Sequence, residues 1–444
     1  MNEKNIFPFD KDFSPFTKDN FPFEQDITPR IIIHGGAGNL TKQSLPREKY
    51  DAYQASLRRI LASSAELLSQ TGSTALDVAT FAVSLLEDDP LYNSGRGAVF
   101  TREGKNELEC SIMVSNGYRK RGVGCMMLQH VKNPIKLARE LLIRGEKNGG
   151  DGSQDHCQYA GPFVEGLAKK WGLDIVDPSH FFTQQRWDEH VRGLEEEEKQ
   201  RAAGISVNEM SDWEKASYIP LGTCGAVVLD SFGTICVATS TGGLTNKLPG
   251  RIGDTPTIGA GFWAEEWHQK LVIPRAGERR QPSPMDQISR GDFRDLLSDC
   301  MPMFVTGASG AGPSRVLDQV RDRLSSIRHA VGMSGTGNGD SFLRMNACRT
   351  AAANSRFGGT ELADAVTWMA GPNGELQKSA RDRWGHSHEG TGGIIGIELV
   401  GNKGTVVWDF NCGGMFRAWV DDKGKHHCLI FREGYDSGAE TFAG

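Results

Sequence analysis

Gly222-Thr223, followed by Cys224-Gly225, is the place in this sequence where residue types most directly suggest chemistry. A threonine hydroxyl is a weak nucleophile unless a base stands beside it. A cut just before Thr223 would free its own α-amine to be that base. The reference pKa of such an amine, about 7.7–8.0, lets much of it become neutral near physiological pH. Glycine at 222 leaves its carbonyl uncrowded and tolerates a strained backbone, as attack by Thr223 on that carbonyl requires. The competing reading is a β-branched residue that merely opens a strand. Arg251 and Asp254 form a second candidate constellation. A guanidinium grips a carboxylate through two parallel bonds, and a carboxylate recognises an ammonium. Three positions apart, the two side chains can point from one turn into one pocket. They can also form a local ion pair of little consequence.

The elements that must hold these residues follow from pattern. Residues 30–33 are an apolar run short enough for a buried strand. It enters His34-Gly35-Gly36-Ala37-Gly38, where the backbone must turn tightly or approach another group closely. A helix with Tyr53, Leu57, Leu61 and Leu68 near one face follows. A second begins at Ser73 or Thr74, runs to Leu86 and stops at Asp88-Asp89-Pro90. Residues 107–114 and 123–128 read as strands, and 134–143 as a helix with proline in its first turn. From 180 to 217 the chain is polar, and Glu195-Glu196-Glu197-Glu198 reads as a solvated helix face just ahead of Thr223. Strands at 224–230 and 234–239 are joined by Ser231-Phe232-Gly233. Helices are expected at 342–357 and 362–370. Strands at 393–400 and 405–410 flank the turn Gly401-Asn402-Lys403-Gly404. Strands, then helices, then strands, twice over, suit an α+β fold of antiparallel sheets with helices outside.

Composition narrows the class. The 444 residues allow two or three domains without requiring them. A hydrophobic share of 38% and a charged share of 24% suit a globular protein with a sizeable core. A formal net charge of −6 points to no nucleic acid and no anionic membrane surface. No apolar run approaches the ~20 residues of a membrane helix. The N-terminus lacks the basic-then-apolar layout of a signal peptide. Nine scattered cysteines without a CxxC pair suit reduced thiols in the cytoplasm. Residues 1–29 read as a poorly ordered extension. It repeats Phe7-Pro8-Phe9-Asp10, Ser14-Pro15-Phe16-Thr17 and Phe21-Pro22-Phe23-Glu24, with proline blocking regular structure at each step.

Further motifs surround the two constellations: Leu91-Tyr92-Asn93-Ser94-Gly95-Arg96-Gly97-Ala98-Val99-Phe100, Ala238-Thr239-Ser240-Thr241-Gly242-Gly243 and Gly250-Arg251-Ile252-Gly253-Asp254-Thr255-Pro256. Ser334-Gly335-Thr336-Gly337-Asn338-Gly339 and Asn411-Cys412-Gly413-Gly414-Met415-Phe416-Arg417-Ala418 come later. In these motifs and their order, over most of residues 30–434, the sequence resembles the plant-type asparaginase and isoaspartyl-peptidase family of N-terminal-nucleophile (Ntn) hydrolases.

The resemblance implies an αββα four-layer Ntn-hydrolase sandwich. It also implies self-cleavage between Gly222 and Thr223 into a part 30–222, ending in a polar linker, and a part 223–444. Thr223 then matches the nucleophile, and Thr241 the hydroxyl that hydrogen-bonds it. Thr336 and the Gly337 amide match the oxyanion hole. Arg251 matches the clamp on a substrate α-carboxylate, Asp254 the partner of its α-ammonium, and Gly339 a carbonyl near that ammonium. Asn93 matches an asparagine that helps order the nucleophile. The expected substrates are the side-chain amide of L-asparagine and β-aspartyl peptides, with aspartate released, and the expected assembly is a homodimer of cleaved protomers. A sodium ion held by main-chain carbonyls maps to Leu86, Glu87, Asp89, Tyr92, Ser94 and Arg96; no other cofactor is implied.

The sequence also departs from that family. Cys224 stands where a small aliphatic residue is usual, and Cys412-Gly413 replaces a Thr-Glu pair. About 60 residues, 268–328, are an insertion within which 316–327 can form a helix. These departures keep two other readings open: an amidohydrolase of a larger amide, such as glycosylasparagine or a biosynthetic intermediate, and a non-catalytic relative.

Overall fold

The computed structural model describes residues 27–146, 150–153, 156–206, 209–220, 222–270 and 326–441. The Phe-Pro repeats and nearly all of the 268–328 insertion lie outside these residues. So does the helix expected at 316–327, except that Ser326 and Ile327 belong to a strand.

The chain divides into two compact units, residues 1–266 with 330–444, and residues 267–329. In the smaller unit Trp267 stacks on His329, ring centroids 5.3 Å apart. The larger unit opens with β1 (Arg30–Gly38), α1 (Arg47–Ser69), α2 (Ala75–Asp88), β2 (Leu108–Val114), β3 (Gly122–Leu128) and α3 (Pro134–Arg144). Next come β4 (Gln158–Ala160), α4 (Gly161–Lys170), α5 (Gln184–Ala202), α6 (Asp212–Ser217), β5 (Cys224–Leu229) and β6 (Ile235–Thr241). Strands β7 (Phe262–Lys270) and β8 (Ser326–Gly337) precede α7 (Gly339–Met345), α8 (Ala347–Gly358), α9 (Leu362–Ala370) and α10 (Glu375–Ser379). The chain closes with β9 (Gly392–Val400), β10 (Lys403–Phe410), β11 (Gly414–Val420) and β12 (His426–Leu429).

Two layered sheets give an α+β architecture. The larger has the order β12-β11-β1-β5-β6-β2-β3-β4 and the smaller β10-β9-β8-β7. The named pairs are antiparallel except β3 with β4. Helices α1, α2 and α3 pack on the larger sheet, and α9 packs on β9 and β10 of the smaller one.

The central strands explain their own sequences. Cys224, Ala226 and Val228 of β5 enter the core shared with α1–α3, while Val227 and Leu229 enter a second core with Phe262, Ile395 and Ile397. Neighbouring β6 divides in the same way, Cys236 and Ala238 against Ile235 and Val237. A strand buried on both faces must read as a nearly unbroken apolar run. The helix signals hold as well. Tyr53, Leu57, Leu61 and Leu68 are buried on α1, and Thr74 caps α2 by accepting from the Asp77 amide.

The structure decides between the two alternatives of one local expectation and differs from another. The run His34–Gly38 contains no tight turn; it continues β1 through a bulge between His34 and Gly36. Its glycines serve close approach instead, Gly35 against the Tyr92 ring and Gly38 against Pro220. The helix expected at 342–357 is broken at Asn346, which adopts a left-handed φ of 46°, a conformation asparagine tolerates better than most residues. The break frees the first amides of α8, so Cys348 donates to Ala260 O at 3.2 Å and Arg349 to Gly259 O at 2.7 Å.

Among the described residues, no helix is long and apolar enough to cross a membrane.

Candidate active site

Thr223 sits at the mouth of β5, 6% exposed. The strand is fixed on both edges by β1 and β6, so the hydroxyl is carried by rigid backbone. Directly before it, Gly222 lies against the end of β8. A Cβ at 222 would collide with Thr336 Oγ1 and come within 3.0 Å of the Gly337 amide nitrogen. Only glycine fits that seat. The Thr336 hydroxyl is buried and has no hydrogen-bond partner, so a donor stands unused beside the peptide that precedes Thr223. Gly337 holds φ at +140°, where a side chain would also strike Gly392.

A cavity of about 390 Å³ opens here and is lined by Gly222, Thr223, Thr241, Arg251, Asp254, Gly337 and Gly339, among others. Those predicted residues, scattered over more than a hundred positions, therefore meet in one place. Asn93 stands behind them. Its amide donates to Gly243 O at 2.8 Å, its side-chain oxygen accepts from Val99 N at 3.0 Å, and its carbonyl accepts from Gly242 N at 3.0 Å. Asn93 thus staples the corner after β6. On the same corner, Thr241 Oγ1 accepts from Gly243 N at 3.0 Å.

Arg251 and Asp254 point into the cavity together, and both come close to Gly339, whose missing Cβ leaves room for them. Arg251 pairs with Asp340 at 3.0 Å. Asp254 is buried, and its Oδ2 has no hydrogen-bond partner. Burial pushes its pKa up to about 7, with Arg251 opposing the rise and Glu109 adding to it. A buried acid held this way gains from a cationic visitor. Behind β5, His34 Nε2 meets Ser334 Oγ at 2.6 Å. Burial holds this imidazole down to about 3, opposed by the Thr223 backbone, so it is neutral at physiological pH.

Sequence reasoning missed several groups in or beside the cavity. Glu109 on β2 accepts from Gly253 N at 3.0 Å and lies 3.8 Å from Lys247 Nζ. Its signal was two carboxylates, Glu107 and Glu109, entering an otherwise apolar strand. Lys247, which donates to Glu107 O at 2.8 Å, carried none. Thr255 lay inside a quoted motif yet was not singled out, and its Oγ1 is 2.7 Å from Thr223 Oγ1. The polar segment ahead of Gly222 carries α5 and α6 and also lines the cavity, through Glu196, Glu197, Trp213, Glu214 and Tyr218. Tyr218 bonds Thr245 at 2.7 Å, and Ser211 with Glu214 forms a capping box on α6. Two of the four consecutive glutamates thus face the cavity rim.

Residues 86–96 run from the last turn of α2 into the segment after it, which folds back on the helix end. The Glu87 carbonyl accepts from Arg96 N at 2.7 Å, and the Asp89 carbonyl accepts from Tyr92 N at 3.3 Å. Gly95 and Gly97, at φ +49° and +102°, let the chain fold back until a Cβ would strike the carbonyls of Glu87 and Pro90. A Cβ at Gly97 would also come within 2.8 Å of Tyr92 O. The Glu87 and Asp89 carbonyls are thus already hydrogen-bond acceptors within this segment. Among the described residues, no cluster of three or more His, Cys, Asp or Glu side chains is placed to hold a metal.

The asparaginase family profile matches residues 27–268. An isoaspartyl peptidase of Salmonella typhimurium is 31% identical over 389 residues, covering 88% of this chain and 94% of that protein. An isoaspartyl peptidase of Escherichia coli is 30% identical over 389 residues, with coverages of 88% and 92%. An isoaspartyl peptidase/L-asparaginase of Xenopus laevis is 34% identical over 238 residues, with coverages of 53% and 67%. A profile match that crosses the Gly222-Thr223 junction, joined to relatives similar along nearly their whole length, shows that this chain belongs to the asparaginase family.

Proposed function

We propose that this chain cuts itself between Gly222 and Thr223, and then hydrolyses the side-chain amide of L-asparagine and of β-aspartyl peptides, releasing aspartate. One observation carries the reading: a buried, unpartnered carboxyl oxygen of Asp254 shares a cavity with Arg251 and Thr223. The substrate's α-ammonium pairs with Asp254, with the Gly339 carbonyl beside it, and its α-carboxylate takes Arg251. The side-chain amide carbonyl then faces Thr223. The freed Thr223 amine takes the hydroxyl proton as the oxygen attacks. Thr336 and the Gly337 amide donate to the oxygen as it becomes negative, a donor of this kind being worth about 3 kcal/mol. The proton passes to the leaving amine, and water then releases aspartate from Thr223. Thr241 and Asn93 support the nucleophile from the corner after β6.

The cavity extends past the aspartyl site to Trp213, Glu214 and Tyr218. That extra room favours β-aspartyl peptides alongside free asparagine. The order of helices α1–α3, large sheet, small sheet and helix α9 supports the αββα layering of Ntn hydrolases. The homodimer of cleaved protomers, the cytoplasmic setting and a structural sodium at Leu86, Glu87, Asp89, Tyr92, Ser94 and Arg96 belong to the same proposal. If sodium sits there, exchanging it for choline lowers the melting temperature of the protein; an unchanged melt removes the ion from the proposal.

The deciding experiment is intact-mass analysis of purified protein, followed by turnover of asparagine, a β-aspartyl dipeptide and the same dipeptide with its aspartyl α-carboxylate blocked as an amide. Two fragments, the second beginning at Thr223, and loss of turnover on blocking are expected. A fully active, uncut chain would end the self-cleavage reading. Equal turnover of blocked and free substrates would move the enzyme to larger amides.

A further inference from the structure

The hydroxyl of Thr223 meets Thr255, Oγ1 to Oγ1 at 2.7 Å, whereas Thr241 spends its own Oγ1 on the Gly243 amide. We infer that Thr255 is a further positioning residue for the nucleophile, setting the direction of the Thr223 hydroxyl. This inference rests on the self-cleavage reading above.

Thr255 is held as a reference point. Its carbonyl accepts from Ser111 Oγ at 2.7 Å and from Thr239 Oγ1 at 3.4 Å. Ser111 and Thr239 are register partners across β2 and β6, and their hydroxyls bond each other. All three residues are fully buried. The next residue back, Asp254, has its carbonyl engaged by the amides of Thr257 at 3.0 Å and Gly261 at 3.1 Å. Asp254 and Thr255 are therefore consecutive residues of one turn pinned to the sheet. One supplies the carboxyl for the substrate's ammonium, and the other supplies the contact for the attacking oxygen. The distance between bound substrate and nucleophile is thereby set by a single peptide unit.

A neutral hydroxyl cannot carry away the proton at physiological pH, so Thr255 acts by geometry. The side chain of Thr223 has staggered χ1 wells, and a bond to Thr255 favours the one that makes it. In self-cleavage Thr223 Oγ1 bonds to the Gly222 carbonyl carbon, the bond from that carbon to Thr223 N breaks, and the hydroxyl proton ends on that nitrogen. Water then splits the ester, leaving a Gly222 carboxylate and restoring the Thr223 hydroxyl. Thr255 is unchanged throughout.

The test compares Thr255→Val, which keeps the shape and removes the hydroxyl, with Thr255→Ser, which keeps the hydroxyl, in the full chain. Thr255→Val should slow self-cleavage, followed by intact mass over time, by roughly tenfold or more. Its cut fraction should show a similar fall in kcat with KM unchanged. Thr255→Ser should cut and turn over within about threefold of wild type. If Thr255→Val does not fold, Ser111→Ala loosens the same reference point and should lower kcat at constant KM. Thr255→Val cutting and turning over like a self-cleaving wild type would overturn the inference. So would Thr255→Ser failing as badly as Thr255→Val, or a folded Ser111→Ala with wild-type kcat. A wild type that is active yet uncut would instead overturn the self-cleavage reading.

Discussion

The two sides of the Gly222-Thr223 bond are built on opposite principles. Ahead of it, α5 buries only Arg186 and His190, and its glutamates sit in ion pairs such as Arg102 with Glu197 and Arg192 with Glu196. After it, every residue of β5 is buried, and the strand is bonded along both edges. Exposed ion pairs are individually worth little, whereas apolar burial in a central strand is not. The contrast teaches which of the two neighbouring segments is built to stay put. Thr223 is on the tightly packed side, and the helical segment before it is on the side held by weak bonds.

The sharpest way to break this comparison is at the junction. Gly222→Ala places a methyl group against Thr336 and the Gly337 amide. Self-cleavage should fall on the order of a hundredfold or more, because misplacement by about 1 Å costs that much in near-attack geometry. Intact mass measures it, and a wild-type rate would mean that the peptide before Thr223 is not seated there for reaction.

The two sides can next be weighed directly. Leu229→Ala in β5 should cost about 2–5 kcal/mol in urea unfolding. Glu197→Ala in α5 should cost no more than about 1 kcal/mol. Equal costs would erase the distinction between the anchored strand β5 and the loosely held helix α5.

The pH dependence sharpens the anchored side. Asp254 has a raised pKa of about 7, so it carries a proton in the empty site below that pH and charge above it. Only the charged form pairs with an ammonium. Hence Asp254 should contribute about a tenfold fall per unit in kcat/KM for a β-aspartyl dipeptide as pH drops below 7, in addition to the limb from protonation of the Thr223 amine. Asp254→Asn should remove the Asp254 contribution and leave a low, flatter profile. A wild-type profile that is flat from pH 5 to 7 would contradict the role of Asp254.

The smallest expected effect concerns Asp340, 54% exposed and paired with Arg251. It competes with the substrate carboxylate for the guanidinium. Asp340→Asn should lower KM by a few-fold with kcat little changed, since one partly exposed pair is worth about 0–1 kcal/mol. A raised KM would instead make Asp340 a brace for Arg251.

Much of this was legible beforehand, for identifiable reasons. The strands around Thr223 were clear because burial on both faces leaves no polar interruption. The helix boundaries at Thr74 and Pro134 were clear because caps and first-turn prolines act locally. The cavity residues came from the family resemblance, since glycine-rich turns have no periodicity to read. Asn346 was missed because a left-handed break leaves the apolar spacing of a helix intact on both sides. Lys247 and Thr255 were missed because their partners, Glu107 and Thr223, are distant in sequence and nothing local marks them.

The strand order carries a consequence for timing. β1 lies between β5 and β11, and the Thr336 donor comes from β8, so the surroundings of Thr223 draw on chain made well after it. A chain still on the ribosome has Thr223 long before it has the other half of the seat. Any cut at Gly222 that depends on this geometry is postponed until β8 and β11 have been made. By then β1, which precedes Gly222, is laced between two strands that follow it, so the two parts on either side of such a cut would remain one body.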